Sequence, residues 1–418
     1  MQDAVSQLHG IARLRVGTAL AVAIAGLLVL LPMVERAQGG GVEYVPSEVL
    51  VVLEPGMSTE TIDITFGTTT AEEIPVLGVA RVTLPGYSSE SEVIGQIRDF
   101  DGIIYTERNF LLEAPEADQS SMPFIENDPS LEDYEWQRAV DQIRLTEAHE
   151  VSTGEGIRVA ILDTGADLDH WLLLGHLCTA GADLVDDDPD PSEEPDGIDN
   201  DWDGYVDEAR GHGTHIAGII ALVAPDCEIA VYRVLNAEGR GTLFNLIQGI
   251  AKAVEEEARI INLSLGMQLT SPVLQEALAY ARDAGCLIVC TAGNTVSPNP
   301  EYMPAASPHT YAVAATDTLD VKAPFSNYGD LVSLTAPGVD IYSAFSDDLC
   351  ARWDGTSMAA PFISGTAALV WALAPGLAHD EVMDIVLDAA VDIDSLNASF
   401  AGQLGAGRLD AAQALSIP

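Results

Sequence analysis

From about Trp136 onward, uninterrupted apolar runs alternate with helical stretches, and few architectures can accommodate that alternation. Residues 159–162, 229–235, 260–265 and 286–290 each read as a strand with both faces buried. Helical patterns fill 242–257 and 273–284 between them. Strands that are apolar on both faces need cover on both faces. The expectation is therefore an α/β fold with a mostly parallel central sheet and helices on either side. In such sheets functional groups collect where strands run out into loops at their carboxyl ends.

The region before this reads differently. Residues 49–53 and 79–84 are short apolar strands closed by Pro55-Gly56 and Pro85-Gly86. Ser89 with Glu92 has the spacing of a capping box opening a helix through Ile97, and 102–112 returns as a strand. Residues 42–115 are thus expected to form a small α+β unit. The stretch that follows, 116–135, is acidic, polar and without period, which predicts a linker. Ahead of the unit, Arg13 and Arg15 precede an uncharged run from Val16 to Val34, followed by Ala37 and Gly39 at the spacing of a small-residue cleavage site. Residues 1–39 therefore read as a signal peptide, which predicts export. The alternative is an uncleaved membrane anchor.

Sixty-five acidic residues face 18 basic ones, a formal net charge of −47. Such a charge repels nucleic acid and anionic membrane surfaces and stresses the folded chain unless cations screen it. It suggests either a soluble acidic secreted protein or adaptation to high salt or to divalent cations. Hydrophobic residues make up 48% of the chain, which excludes general disorder. There are five cysteines, so at least one cannot pair within the chain. Cys286 and Cys290 are four residues apart on one strand, about 13 Å, and are expected to be free thiols.

Four segments carry chemistry. Asp163 follows the 159–162 strand and precedes Thr164-Gly165, where rigid backbone fixes a carboxylate at the edge of the sheet. His212 opens the small-residue helix Gly211-His212-Gly213-Thr214-His215. His212 and His215 could pair on a metal, but no third ligand is near in sequence, and His215 is expected to be a packed structural residue. Ser357 lies in Gly355-Thr356-Ser357-Met358-Ala359-Ala360-Pro361 at the start of another helix, whose amides and dipole could stabilise an oxyanion. Asn294, after Thr291-Ala292-Gly293, offers a side-chain amide for the same purpose.

In this order, Asp, His, Ser, the segments resemble the subtilisin-like serine peptidases. The resemblance covers about residues 136–418, including the closing Gly405-Ala406-Gly407-Arg408-Leu409-Asp410. It implies that Asp163 orients His212, that His212 acts as base and then acid, and that Ser357 attacks the scissile carbonyl. Asn294 and the Ser357 backbone N–H would hold the oxyanion. Gly239, Arg240 and Gly241 resemble the edge strand that pairs with an extended peptide, and Ser264, Leu265 and Gly266 the opposite wall. Met267 stands where many members have a second glycine, which alters the pocket's shape. By the same resemblance the α+β unit is a propeptide whose last segment, 109–113, lies in the cleft, with maturation in the linker. Partners would then be protein or peptide substrates and the chain's own propeptide, with the enzyme monomeric.

Between Asp163 and His212, residues 183–208 hold 13 acidic residues in 26 and no basic ones. Asp199, Asp201, Asp203 and Asp207 bracket Gly204 at calcium-loop spacing, so a structural calcium ion is expected there. The chain passes quickly from Ile220 to Ala224-Pro225, without the glycine-rich calcium loop of many relatives. Two other classes fit parts of this pattern: a catalytically silent binding module of the same fold, and a calcium-dependent surface protein.

Overall fold

The structure is a computed structural model that describes residues 43–86, 90–117, 121–200, 203–299 and 301–416. The expected signal peptide, Ser89 of the expected capping box and Asp201 lie outside the described residues.

Seven strands form one sheet, in the order Val332–Pro337, Tyr311–Thr316, Leu287–Thr291, Ile260–Leu263, Arg158–Asp163, Glu228–Arg233 and Leu177–Asp183. Every neighbouring pair is parallel. The two apolar faces expected from the sequence pack on different helices. One core gathers Val159, Ile161, Val289 and Val313 with the buried helices His212–Val223 and Thr356–Leu373. The other places Ala160, Leu162, Ile261 and Ile288 against Leu243–Glu255 and Pro272–Asp283. The amphipathic pair begins with side-chain caps: Thr242 accepts from Asn245 N, and Ser271 from Leu274 N. The central helices are buried all round, which suits their small residues. All five cysteines are free thiols, as expected for Cys286 and Cys290.

The N-terminal unit forms an antiparallel sheet with Thr69–Ile74, Val79–Thr83, Tyr44–Leu53 and Ile103–Glu113 in that order. The helices Thr59–Phe66 and Glu90–Arg98 cover it around a small core of Val49, Val51, Ile62, Val82, Val93 and Ile97. The sheet does not stop at the unit's own edge. Ile103–Glu113 pairs antiparallel with Arg240–Thr242 of the main body, Leu112 opposite Gly241 and Glu113 opposite Arg240. Glu107 strengthens this docking: its carboxylate accepts from Ser271 Oγ at 2.7 Å and Val273 N at 3.1 Å. It therefore caps the Pro272–Asp283 helix from outside.

The stretch predicted as a linker is more ordered than its composition suggests. Phe124–Glu126 adds as a third strand to the hairpin of Ile341–Phe345 and Leu349–Trp353, and Leu131–Glu135 is helical. Backbone pairing needs no apolar period, so the sequence carries no sign of it. Arg352 Nε bonds Glu126 at 2.9 Å and Trp353 Nε1 donates to Ser121 O at 2.9 Å, anchoring the segment.

Candidate active site

The sheet's carboxyl edge brings together the residues predicted to carry chemistry. Asp163 is the last residue of its strand, and Oδ1 lies 2.6 Å from His212 Nδ1 while accepting from Thr164 N at 2.8 Å. His212 is the first residue of its helix and fully buried, its ring edge-on to Trp353 at 5.4 Å. The glycine after it is required by packing: a Cβ on Gly213 would sit 1.9 Å from Gly165 O. Ser357 is the second residue of the Thr356–Leu373 helix. Asn294 lies three residues beyond the Leu287–Thr291 strand, and its Oδ1 accepts from Thr356 N and Thr356 Oγ1. That leaves its amide Nδ2 pointing into the same space as the serine.

A residue that sequence reasoning passed over fills that space. Glu116, 2% exposed, takes a hydrogen bond from Ser357 Oγ at 2.6 Å through Oε2 and one from Asn294 Nδ2 at 2.8 Å through Oε1. The same Oε2 is 3.2 Å from His212 Nε2. Nothing in its surroundings, Ala114-Pro115-Glu116-Ala117, distinguishes it from the other acids of the linker. The chain reaches this point as an extended strand. Glu113 N donates to Gly266 O at 2.9 Å, Gly266 N to Glu113 O at 2.8 Å, and Ala114 N to Gly239 O at 2.9 Å. Ala117 N then bonds back to Ala114 O, turning the chain away. Gly239, Arg240 and Gly241 thus line one side of the extended segment and Gly266 the other.

Electrostatics follow from burial and these carboxylates. Burial by itself would depress the His212 imidazole, but Asp163 and Glu116 on its two nitrogens lift it to about 10. His215, also buried, has no such partner. Its Nε2 meets Ile341 O and Ala351 O, and it falls to about 3. It is the packed residue expected.

A second unforeseen carboxylate is Glu193, from the acidic insert. Gly211 supplies no capping side chain to the His212 helix. Glu193 does so instead, accepting from Gly211 N at 3.2 Å and Thr214 N at 3.3 Å and bonding Ser346 Oγ. Burial raises it to about 7, against the lowering effect of those bonds.

The subtilase family profile matches residues 154–407, and the profile of the fervidolysin N-terminal prodomain matches 32–109. The chain belongs to the subtilase family. It is a subtilisin-like serine endopeptidase that carries an N-terminal prodomain. It is 35% identical to thermitase from Thermoactinomyces vulgaris over 257 residues, 59% of this chain and 85% of that one. It is 32% identical to subtilisin BL from Lederbergia lenta over 277 residues, 64% of this chain and 96% of that one. Fervidolysin from Fervidobacterium pennivorans, described as a keratinolytic enzyme related to subtilisin, shares the fold with a TM-score of 0.75 at 23% identity. That match covers 92% of this chain and 62% of the fervidolysin chain.

In this subtilase the acidic insert divides into three parts. Asp183, Asp186 and Glu194 bring carboxylate oxygens within 4.8 Å of one another, close enough to hold a metal ion, around the guanidinium of Arg233. The aspartates predicted as ligands lie elsewhere in the insert. Asp199 accepts from Asp203 N and Gly204 N, Asp203 from Tyr205 N, and Asp207 from Asp196 N and Gly197 N. Beside Asp203, Glu208 and Glu238 are 7% and 1% exposed, and one oxygen of each is buried without a hydrogen-bond partner. Burial and the facing Glu238 push Glu208 up to about 8.

Proposed function

We propose that this chain is a secreted, self-processing zymogen. Residues 1–39 direct export, 42–115 form a propeptide, 116–135 contain the maturation site, and 136–418 form the peptidase. Asp163 holds the His212 imidazole by Nδ1. His212 takes the Ser357 proton through Nε2 as the oxygen attacks the scissile carbonyl, then returns it to the leaving amine. Asn294 Nδ2 and the Ser357 N–H at the helix start stabilise the oxyanion.

The observation that carries this reading is the Glu116 carboxylate. One carboxyl group accepts from Ser357 Oγ through Oε2 and from Asn294 Nδ2 through Oε1, so the nucleophile and an oxyanion donor face one point in the cleft. The propeptide strand leading to it supports a cis partner that occupies the cleft of the enzyme until cut. Substrates are then proteins or peptides bound in extended form between Gly239-Arg240-Gly241 and Ser264-Leu265-Gly266, and the mature enzyme works as a monomer.

Calcium fits the insert. Asp199, Asp201, Asp203 and Asp207 supply hard oxygen donors, and the orphaned buried oxygens of Glu208 and Glu238 mark a deficit of positive charge beside them. When bound, the ion neutralises this charge and does not enter the reaction.

Size on a gel tests the reading. Wild-type precursor incubated with calcium should convert to a shorter form and label with a fluorophosphonate. Ser357→Ala should do neither, the loss of the serine costing about 10⁶-fold in subtilisin itself. A Ser357→Ala chain that matures alone would overturn self-processing.

A further inference from the structure

Two loops flank the position just before the scissile bond. They continue the adjacent strands Ile260–Leu263 and Leu287–Thr291, whose ends are in register with Leu263 opposite Cys290. One loop is Ser264-Leu265-Gly266, the other Ala292-Gly293-Asn294. The strands themselves are only about 4.8 Å apart, and the proposed cleft puts the substrate side chain before the scissile bond between the two loops that follow them.

In this chain the slot holds the ring of Tyr302, which is 5% exposed. A Cβ on Gly266 would lie 2.4 Å from Tyr302 Cζ and 2.6 Å from its hydroxyl oxygen, and one on Gly293 would lie 3.2 Å from Tyr302 Cε1. The ring therefore packs against both walls at once, and glycine on each wall makes room for it. The ring is held from its backbone: Met267 and Met303 exchange N–H···O bonds of 2.8 and 2.9 Å, and Ala306 N donates to Tyr302 O at 2.8 Å.

We infer that Tyr302 sets the cleavage preference: its ring occupies the volume a large side chain would need, so the enzyme cuts after small residues such as glycine, alanine or serine. The inference rests on the proposed cleft and on Ser357 as nucleophile. Small residues of this kind, Ala114 and Ala117, stand on either side of Pro115-Glu116 where the chain enters the cleft.

The test uses self-processed enzyme and two tetrapeptide anilides that differ only in alanine or phenylalanine before the anilide. Wild type should favour alanine by at least tenfold in kcat/KM. Tyr302→Gly should shift the ratio of kcat/KM values toward the phenylalanine peptide by at least tenfold. Tyr302→Phe, which keeps the ring, should keep the wild-type ratio and serves as a second reading if the glycine variant does not fold. Wild type that cuts after phenylalanine as well as after alanine overturns the inference, as does a ratio unmoved in Tyr302→Gly. Enzyme that labels with a fluorophosphonate yet fails this comparison refutes the pocket alone. A chain that neither labels nor cuts either peptide refutes the nucleophile assignment beneath it.

Discussion

Glu116 Oε2 lies 2.6 Å from Ser357 Oγ, so a carboxylate from the chain's own linker takes the hydrogen bond that a general base would otherwise receive. The segment is held in the cleft by backbone pairing up to Ala114, and Ala117 N bonds back to Ala114 O. The Glu116 side chain fills the space between Ser357, Asn294 and His212. Hydrogen bonds to charged groups are each worth about 1.5–3 kcal/mol, and Glu116 takes one from Ser357, one from Asn294 and one from His212 Nε2. Glu116→Ala should therefore speed maturation of the precursor at least tenfold, followed by gel densitometry, with Glu116→Gln in between. A rate unchanged in Glu116→Ala would leave the carboxylate without an inhibitory role.

The same contact has a pH signature. With carboxylates at both ring nitrogens, the precursor's His212 is raised from an ordinary 6.5 to about 10. A group raised in the folded state stabilises it fully below its unfolded pKa and loses that contribution as pH rises through the folded value. Studied in Ser357→Ala to prevent cutting, the precursor should keep an imidazolium at pH 8 and lose stability between about pH 6.5 and 10. Nitrogen-15 shifts of the ring report the charge directly. Adding Glu116→Gln should bring the transition to lower pH; an unmoved transition would show that Glu116 does not govern it.

Glu193 titrates with the opposite chemistry but the same sign. Its carboxyl, raised by burial to about 7, holds its proton more tightly folded than unfolded, so it favours folding at low pH and ceases to as pH climbs through about 7. Glu193→Gln keeps the hydrogen-bonding shape without the charge. Its melting temperature relative to wild type should become more favourable from pH 5 to about 7 and level off between there and pH 9. A constant difference across that range would mean the charge is not what burial penalises.

How much of this was legible in the sequence depends on whether a residue acts through its neighbours in the chain. The parallel sheet and its covering helices follow from apolar runs and periods. Asp163, His212, Asn294 and Ser357 stand at strand ends and helix starts because of local glycines and small residues, and all four converge in space. The strands Tyr311–Thr316 and Val332–Pro337 escaped because alanine, threonine and serine dilute their apolar runs. Glu116, Glu193 and Tyr302 escaped for a different reason. Each works across the fold, Glu116 on Ser357 241 positions away, Glu193 on Gly211 18 away and Tyr302 beside Gly266 36 away, and no local pattern marks one glutamate among so many. The sequence reading of the insert found its charge but not the deeper pair, because Glu238 lies outside it, next to Gly239.

That pair decides the last prediction. Glu238 is 1% exposed, and its second oxygen, like that of Glu208, has no hydrogen-bond partner. Two buried carboxylates facing each other are costly unless a cation or a proton intervenes. Asn200 N binds the other Glu238 oxygen at 3.1 Å, tying it to the insert, while Gly239 O binds the propeptide strand. A calcium ion bridging this pair would therefore fasten the insert to the base of the strand Arg240–Thr242. Saturation at 100 times Kd stabilises a fold by about 2.7 kcal/mol, so chelation should lower the melting temperature of the mature enzyme by about 5–10 °C. Glu238→Gln should weaken calcium binding, read by titration calorimetry, at least tenfold and reduce that shift. Glu228→Gln, on the exposed far side of the sheet, should leave both unchanged. Equal calcium affinity in wild type and Glu238→Gln would place the ion among the insert's aspartates alone, with no link to the cleft.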